Sequence, residues 1–550
     1  MLRFGLLPSM RDNWYAWPLL LGLMLFHLWC NALVLERDAT PVDVHHAGSY
    51  HLNCQAFAQT LEQHPRKWLR TVSTWGAVYP PGLCYPALAL HHLGCTSMDG
   101  QSLWIGSVTL ALGILALFFL GRALGGPHLG LIAAWFYAFS PGIYAYSRLY
   151  LMALQSEVLL LWALYAVWKS ARMTRVLPAL ALGLLVGLGM LTTTYFALTF
   201  LGCGAAVVLL RRERSVPSGG WRRAILPTAL AATLCCVCAA PWYFEHLPEV
   251  LQQLREDKPT VLFTSALRID FVTFGRLWWE HQVGGYLGAL TLLSVLWLGV
   301  RRRLPLWLPS VAAWPYLCYS ILVLAKSTRY TLVLVPVGAL LLSMAWRDIL
   351  GLLVPRKPLV AAGLTLLFLA PPAVQTVRES SEVRQFTYGS FDRQFFSEGL
   401  RQPYVLTEGH WSLEQFEPAS PRRKLMAVQL FADTFIPGGD LWGVAHRLGA
   451  QEFVSLSQLS AETHDDKVVR AAVDILILPT RPFYDARVPD LELSWLERHL
   501  PTWLELVESG WRSAIDLPLR EHDDVRLQVW VRDRKEERDL PPPCRRRRVL

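Results

Sequence analysis

Charge is scarce in this chain of 550 residues: Asp, Glu, Lys and Arg together make up 17% of it, against 53% hydrophobic and 12% aromatic residues. So apolar a composition excludes intrinsic disorder and leaves more apolar surface than a water-soluble chain hides in ordinary cores. The scarcity is uneven, because charged residues are sparse up to about Pro372 and frequent beyond it. Two domains in two solvents are therefore expected. Metal-ligand spacing is missing among the ten cysteines, and no glycine-rich nucleotide loop is present. No small-residue cleavage site follows the first apolar run, which ends at Glu36-Arg37-Asp38. That run reads as an uncleaved signal anchor with the N-terminus inside.

What is abundant is apolar sequence of membrane-spanning length, roughly 17 to 25 residues. Eleven such spans are expected, near 16–35, 102–121, 127–146, 149–168, 176–192, 195–210, 224–243, 285–300, 305–325, 330–346 and 358–374. The fold expected is a polytopic α-helical membrane domain over 1–374, followed by an extracytoplasmic α/β domain over 375–540 and a disordered basic tail over 541–550. The α/β reading rests on strand-like runs at 404–406, 474–478 and 526–531 and a helix-like stretch at 493–509.

The net charge of +9 is explained by topology without a nucleic-acid partner. With the N-terminus cytoplasmic, the inner segments carry Arg3, Arg11, Arg122, Lys169, Arg172, Arg175, Arg211, Arg212, Arg214, Arg222, Arg223, Arg301 to Arg303, Arg347, Arg356 and Lys357. The short outer turns hold only Arg148, Lys326 and Arg329. This places loop 36–101, loop 244–284 and everything after 375 outside the plasma or inner membrane. Loop 36–101, with Trp68, Trp75, Tyr79 and Tyr85, suits short helices at the headgroup level that roof a site. Cys54, Cys84 and Cys95 share that loop, so one disulfide fits an oxidising compartment, its pairing open. Cys235, Cys236 and Cys238 lie in an apolar span and read as inert thiols.

Several segments taken in order resemble the C-type glycosyltransferases: Asp43 through Tyr50, Tyr79-Pro80-Pro81-Gly82, Ser147-Arg148-Leu149-Tyr150, Gly187 through Thr192, Ala240-Pro241-Trp242-Tyr243, and Arg329-Tyr330 ahead of Pro336. The branch they are most similar to contains the dolichyl-phosphate-mannose protein mannosyltransferases and the aminoarabinose transferases. The resemblance covers about residues 15 to 345. It implies an integral membrane enzyme that takes one sugar from a polyprenyl-phosphate carrier and gives it, with inversion, to an extracytoplasmic protein, lipid or glycan. A lipid-borne donor also accounts for the missing nucleotide loop. No firm cofactor is implied beyond that donor substrate, and a divalent-metal requirement stays open.

Such chemistry needs a carboxylate to take the acceptor proton and cations to hold the leaving phosphate. The resemblance puts the base early in the first outer loop, at Asp43, with Asp38 as the alternative. His45, His46 and His51 do not have the spacing of a helix-face metal pair and read as interfacial loop residues. The cationic candidates are Arg148, Lys326 and Arg329, with Tyr330 beside the last; a guanidinium binds two phosphate oxygens in parallel. Tyr79, Pro80 and Pro81 shape the roof, since paired prolines fix the backbone. Trp278, Trp279 and Glu280 are weaker candidates for contacts to acceptor or sugar.

The chain departs from the family in two places. The position of the usual second acid, after the Ser-Arg segment, is Ala153, and Glu157 one turn on is the catalytic candidate in its place, the other reading being a structural hydrogen-bonded acid. Near mid-bilayer such a carboxylate should face the bundle interior and have a partner. The usual lysine of the fifth span is Thr193. A flippase for a lipid-linked sugar and a non-catalytic glycan-binding relative are the rival readings, although no inverted repeat is visible.

Overall fold

The computed structural model describes residues 15–37, 47–75, 80–95, 98–148, 152–170, 173–194, 196, 199–200, 220–256, 272, 275–276, 278–322, 332–354 and 358–381, and further along 425–429, 450–454, 473, 475–479, 490–507, 511–519 and 522–532. The chain divides into one unit over 1–37 and 53–395 and another over 38–52 and 396–550.

The first unit is helical. Its elements are α1 (Ala16–Arg37), α2 (Ala47–Gln63), α3 (Trp68–Thr74), α4 (Cys84–His92), α5 (Met98–Gly125), α6 (Pro127–Ala138), α7 (Pro141–Tyr146), α8 (Met152–Lys169), α9 (Val176–Thr192), α10 (Gly220–Glu256), α11 (Gly284–Val300), α12 (Trp307–Leu322), α13 (Leu334–Leu353) and α14 (Pro358–Ser381). Among the described residues five helices are long and apolar enough to cross a membrane, namely α1, α5, α10, α13 and α14, and α9 and α11 are shorter apolar helices. That is fewer than the eleven spans expected. The run at 127–146 is two helices, because Pro141 disfavours helical geometry at Ser140 and starts a new helix. The run at 224–243 continues as helix to Glu256 despite Pro227, Pro241 and Pro248. Most of the span expected at 195–210 lies outside the described residues.

The helices show which face meets lipid. On α1, Leu20, Leu23, His27, Cys30, Asn31 and Val34 are buried while Leu19, Leu21, Leu25 and Trp29 are exposed. This 3,4 spacing gives one face to the bundle and one to the bilayer. Leu359, Leu366, Leu367 and Val374 of α14 and Leu292, Leu293, Leu296 and Val300 of α11 are likewise exposed, as lipid-facing residues are. Small residues bring helices close at the interior. Gly121 of α5 faces Gly130 of α6, and Gly183 and Gly187 of α9 face Ala231 and Cys238 of α10. Gly126, at φ 96°, turns the chain between α5 and α6, and Pro127 opens α6 at a position that needs no N–H.

One end of the bundle is rich in arginine. Arg347 of α13 donates to the Gly125 carbonyl at 2.9 Å, and the neighbouring Asp348 pairs with Arg303 and, at 3.6 Å, with Arg301, while accepting from Trp297 Nε1 at 3.1 Å. Gly106, near the other end of α5, is about 28 Å away at about 1.5 Å per residue. A hydrocarbon core is about 30 Å thick, so the two ends of α5 belong to opposite faces of a bilayer.

In the second unit five strands, β1 (Leu425–Gln429), β2 (Ala450–Val454), β3 (Ile475–Pro479), β4 (Trp511–Leu519) and β5 (His522–Arg532), form one sheet in the order β2-β1-β3-β5-β4. The pairs β1/β2 and β1/β3 are parallel, and β3/β5 and β4/β5 antiparallel. One helix, α15 (Asp490–Val507), buries Leu500, Trp503 and Val507 at 3,4 spacing. The expected strand at 404–406 and the basic tail lie outside the described residues.

Candidate functional site

The Ser147-Arg148 segment forms the turn after α7. Gly106 of α5 makes room for it: a Cβ there would fall on the Ser147 carbonyl oxygen. Ser147 and Arg148 are buried, Arg148 being only 2% exposed. Arg148 donates through Nε to Asn31 Oδ1 of α1 at 3.1 Å and through an Nη to Ser380 Oγ of α14 at 2.7 Å, and its guanidinium lies 5.0 Å from the Tyr144 ring centroid. Asn31 is fully buried and donates through Nδ2 to Ser147 Oγ at 3.0 Å and Ser107 Oγ at 3.1 Å. Ser380 Oγ in turn donates to the Thr376 carbonyl. Three separated parts of the chain thus meet at one guanidinium, in a setting where a charge needs hydrogen-bonded company.

Sequence reasoning passed over Asn31, Ser380 and His27. His27, one turn before Asn31, is buried with its ring 4.9 Å from that of Phe139, and neither ring nitrogen has a hydrogen-bond partner among the described residues. An Asn and a His inside an apolar run were the available signal.

The described part of the segment expected to roof the site forms a second cluster. Cys54 of α2 is disulfide-bonded to Cys84 of α4, which resolves the open pairing and leaves Cys95 free. Pro80 and Pro81, both buried, lead into a short 3-10 turn whose Gly82 lies on the end of α9, so closely that a Cβ would meet the Leu191 carbonyl. Trp242 of α10 is 1% exposed, packs on Leu191 and donates its indole N–H to the Trp75 carbonyl at 2.8 Å, and Tyr243 donates to the Met190 carbonyl at 3.1 Å. Two of the segments singled out in the sequence, Pro80 to Gly82 and Pro241 to Tyr243, therefore both meet a third, Gly187 to Thr192, at the end of α9. Burial beneath this roof, with Cys238 nearby, pushes the Tyr85 phenol up to about 12.

Glu157 lies five residues into α8, about 8 Å from its start. It is buried, and one carboxyl oxygen accepts from Tyr137 of α6 at 3.3 Å; the other has no partner among the described residues. The segment Trp278–Val283 is a π-helix, a form frequent at functional sites, and packs on α7, with Gln282 against Gly142. Asp38, Asp43, Tyr79, Lys326, Arg329 and Tyr330 lie outside the described residues. Among the described residues no group of three His, Cys, Asp or Glu side chains stands where it could hold a metal ion.

No known family profile and no curated protein matches the chain. Solved structures do. ArnT from Cupriavidus metallidurans in the apo state is 14% identical, with 95% of this chain and 98% of that one covered at a TM-score of 0.52. The same protein bound to undecaprenyl phosphate is 13% identical, with the same coverage and a TM-score of 0.53. At that identity the likeness is one of fold, and it runs the length of both chains. This multi-span membrane chain shares its fold with ArnT from Cupriavidus metallidurans.

Proposed function

We propose that the chain is a membrane glycosyltransferase that moves one sugar from a polyprenyl-phosphate carrier to an extracytoplasmic protein, lipid or glycan. The observation that carries this reading is the full-length fold likeness to a protein captured with undecaprenyl phosphate. Fold alone does not assign chemistry, and the motif residues add the rest. The site is assigned to the outer membrane face, and the Cys54–Cys84 bond supports this, since structural disulfides persist in oxidising compartments.

In the proposed reaction Asp43, or Asp38 in its place, accepts the proton of the acceptor nucleophile. The acceptor atom bonds to the anomeric carbon as the bond from that carbon to the phosphate oxygen breaks, and the phosphate leaves with the electron pair. Attack comes from the face opposite the phosphate, so the anomeric centre inverts. Arg329 and Arg148, with Lys326 and Tyr330 nearby in sequence, balance the charge that grows on the phosphate. The Tyr79 to Pro81 turn closes the roof. Glu157 is given no step in this scheme; Tyr137 holds one of its carboxyl oxygens, and the Glu157→Gln variant decides whether it joins the chemistry.

Purified full-length protein supplied with undecaprenyl phosphate carrying a labelled sugar tests the reading. Transfer to an acceptor supports it. Binding without transfer favours a non-catalytic relative, and movement of the labelled lipid across a vesicle favours a flippase.

A further inference from the structure

We infer that Asn31 is a positioning residue for the donor phosphate, acting through Arg148; this rests on the proposed role of Arg148 at the leaving group. A long, flexible arginine side chain recognises phosphate well only when its planar fork is held in one orientation, because ordering it at the moment of binding costs rotamer freedom. Asn31 supplies that restraint on one edge. Its Oδ1 accepts from Arg148 Nε at 3.1 Å, while its own Nδ2 is anchored on Ser147 Oγ and Ser107 Oγ. The flip state of the amide is set by Arg148 Nε, which can only donate and so faces Oδ1, while the Ser147 and Ser107 hydroxyls accept from Nδ2. Ser380 Oγ takes a second guanidinium nitrogen at 2.7 Å, and the Tyr144 ring lies against the cation. Asn31, Ser147 and Ser380 are fully buried and Arg148 is itself only 2% exposed, and the three residues act on the donor only through the guanidinium they hold. They set the plane in which Arg148 presents its charge.

The choice of residue matters. Leucine at 31 keeps the volume and the apolar character of α1 but leaves Nε without its acceptor. Serine is shorter and keeps a hydroxyl, which preserves folding if leucine does not.

The test compares binding of undecaprenyl phosphate with that of undecaprenol, the same lipid without the charge, to full-length protein in nanodiscs. Wild type is expected to prefer the phosphate. Asn31→Leu is expected to lose about tenfold of that preference, the size of one charge-assisted hydrogen bond, with undecaprenol affinity unchanged. Ser380→Ala is expected to lose less. Arg148→Gln should abolish most of the preference, and adding Asn31→Leu to it should cost nothing further. An intact preference in both Asn31→Leu and Asn31→Ser, or losses that add in the double variant, overturns the inference and leaves the glycosyltransferase reading standing. Absence of any preference in wild type removes the donor-phosphate reading and this inference with it.

Discussion

The Trp242 indole N–H lies 2.8 Å from the Trp75 carbonyl oxygen, joining residues 167 positions apart. Trp242 is among the largest fully buried side chains, and His246 one turn on has its ring 4.8 Å away. This contact ties the residue that follows α3 to the middle of the long helix α10. Trp242→Phe keeps an aromatic ring but removes the donor, and is expected to lower stability by about 1 kcal/mol. Trp242→Ala is expected to cost about 3 to 5 kcal/mol. Thermal unfolding of the detergent-solubilised protein measures both, and a Trp242→Phe midpoint equal to that of wild type contradicts the contact.

The disulfide closes a 30-residue separation between α2 and α4. By chain entropy a crosslink of that size stabilises by on the order of 3 to 4 kcal/mol. Cys54→Ser is expected to lower the unfolding midpoint under oxidising conditions. Peptide mapping after a membrane-impermeant thiol reagent is applied to intact cells should find Cys95 modified without reductant, and Cys54 and Cys84 modified only after reduction. Modification of Cys95 only in permeabilised cells contradicts the outward orientation.

Gly106 has no room for a side chain, since a Cβ would displace the Ser147 backbone. Gly106→Ala is therefore expected to shift the Arg148 turn or destabilise the bundle by about 1 to 3 kcal/mol. Gly22 and Gly363, around which nothing lies within contact distance, serve as controls: alanine there is expected to be neutral or mildly stabilising. Expression level and unfolding midpoint compare the three.

Tyr137 is the partner of Glu157, and a Cβ on Gly113 of α5 would reach the Tyr137 hydroxyl. Tyr137→Phe strips Glu157 of that bond and is expected to cost about 1 to 3 kcal/mol. Glu157→Gln keeps an acceptor for the tyrosine and is expected to retain transfer within a few-fold. A Glu157→Gln protein that folds normally and transfers nothing moves Glu157 into the chemistry, as the acid missing at Ala153.

The outline of the fold was legible because long apolar runs in a chain this poor in charge call for lipid as their solvent, and a helix is the form that satisfies its own backbone there. Counting spans was harder. Hydropathy does not register a break such as Ser140-Pro141 within an apolar stretch, nor the continuation of α10 through three prolines into polar sequence. Strand-like runs in the last part were located from short apolar, β-branched stretches: β3 and β5 lie at the positions expected, and α15 begins within three residues of its expected start. In the candidate site, Arg148 was legible from its neighbours in sequence, but its partners were not. Asn31 and Ser380 lie 117 and 232 positions away, and only the packing of α1 and α14 against the α7 turn brings them there. The pairing of Cys54 with Cys84 was open for the same reason.

Transfer by an Asp43→Asn protein tests the central claim most directly. The variant removes one proton acceptor and changes almost nothing in volume, so expression, folding and binding of undecaprenyl phosphate should match wild type. Sugar transfer from undecaprenyl phosphate carrying a labelled sugar should fall below about one part in a hundred, the low end of what general-base catalysis contributes. If Asp43→Asn transfers at the wild-type rate, and Asp38→Asn does as well, neither carboxylate is the base and the proposed mechanism is wrong.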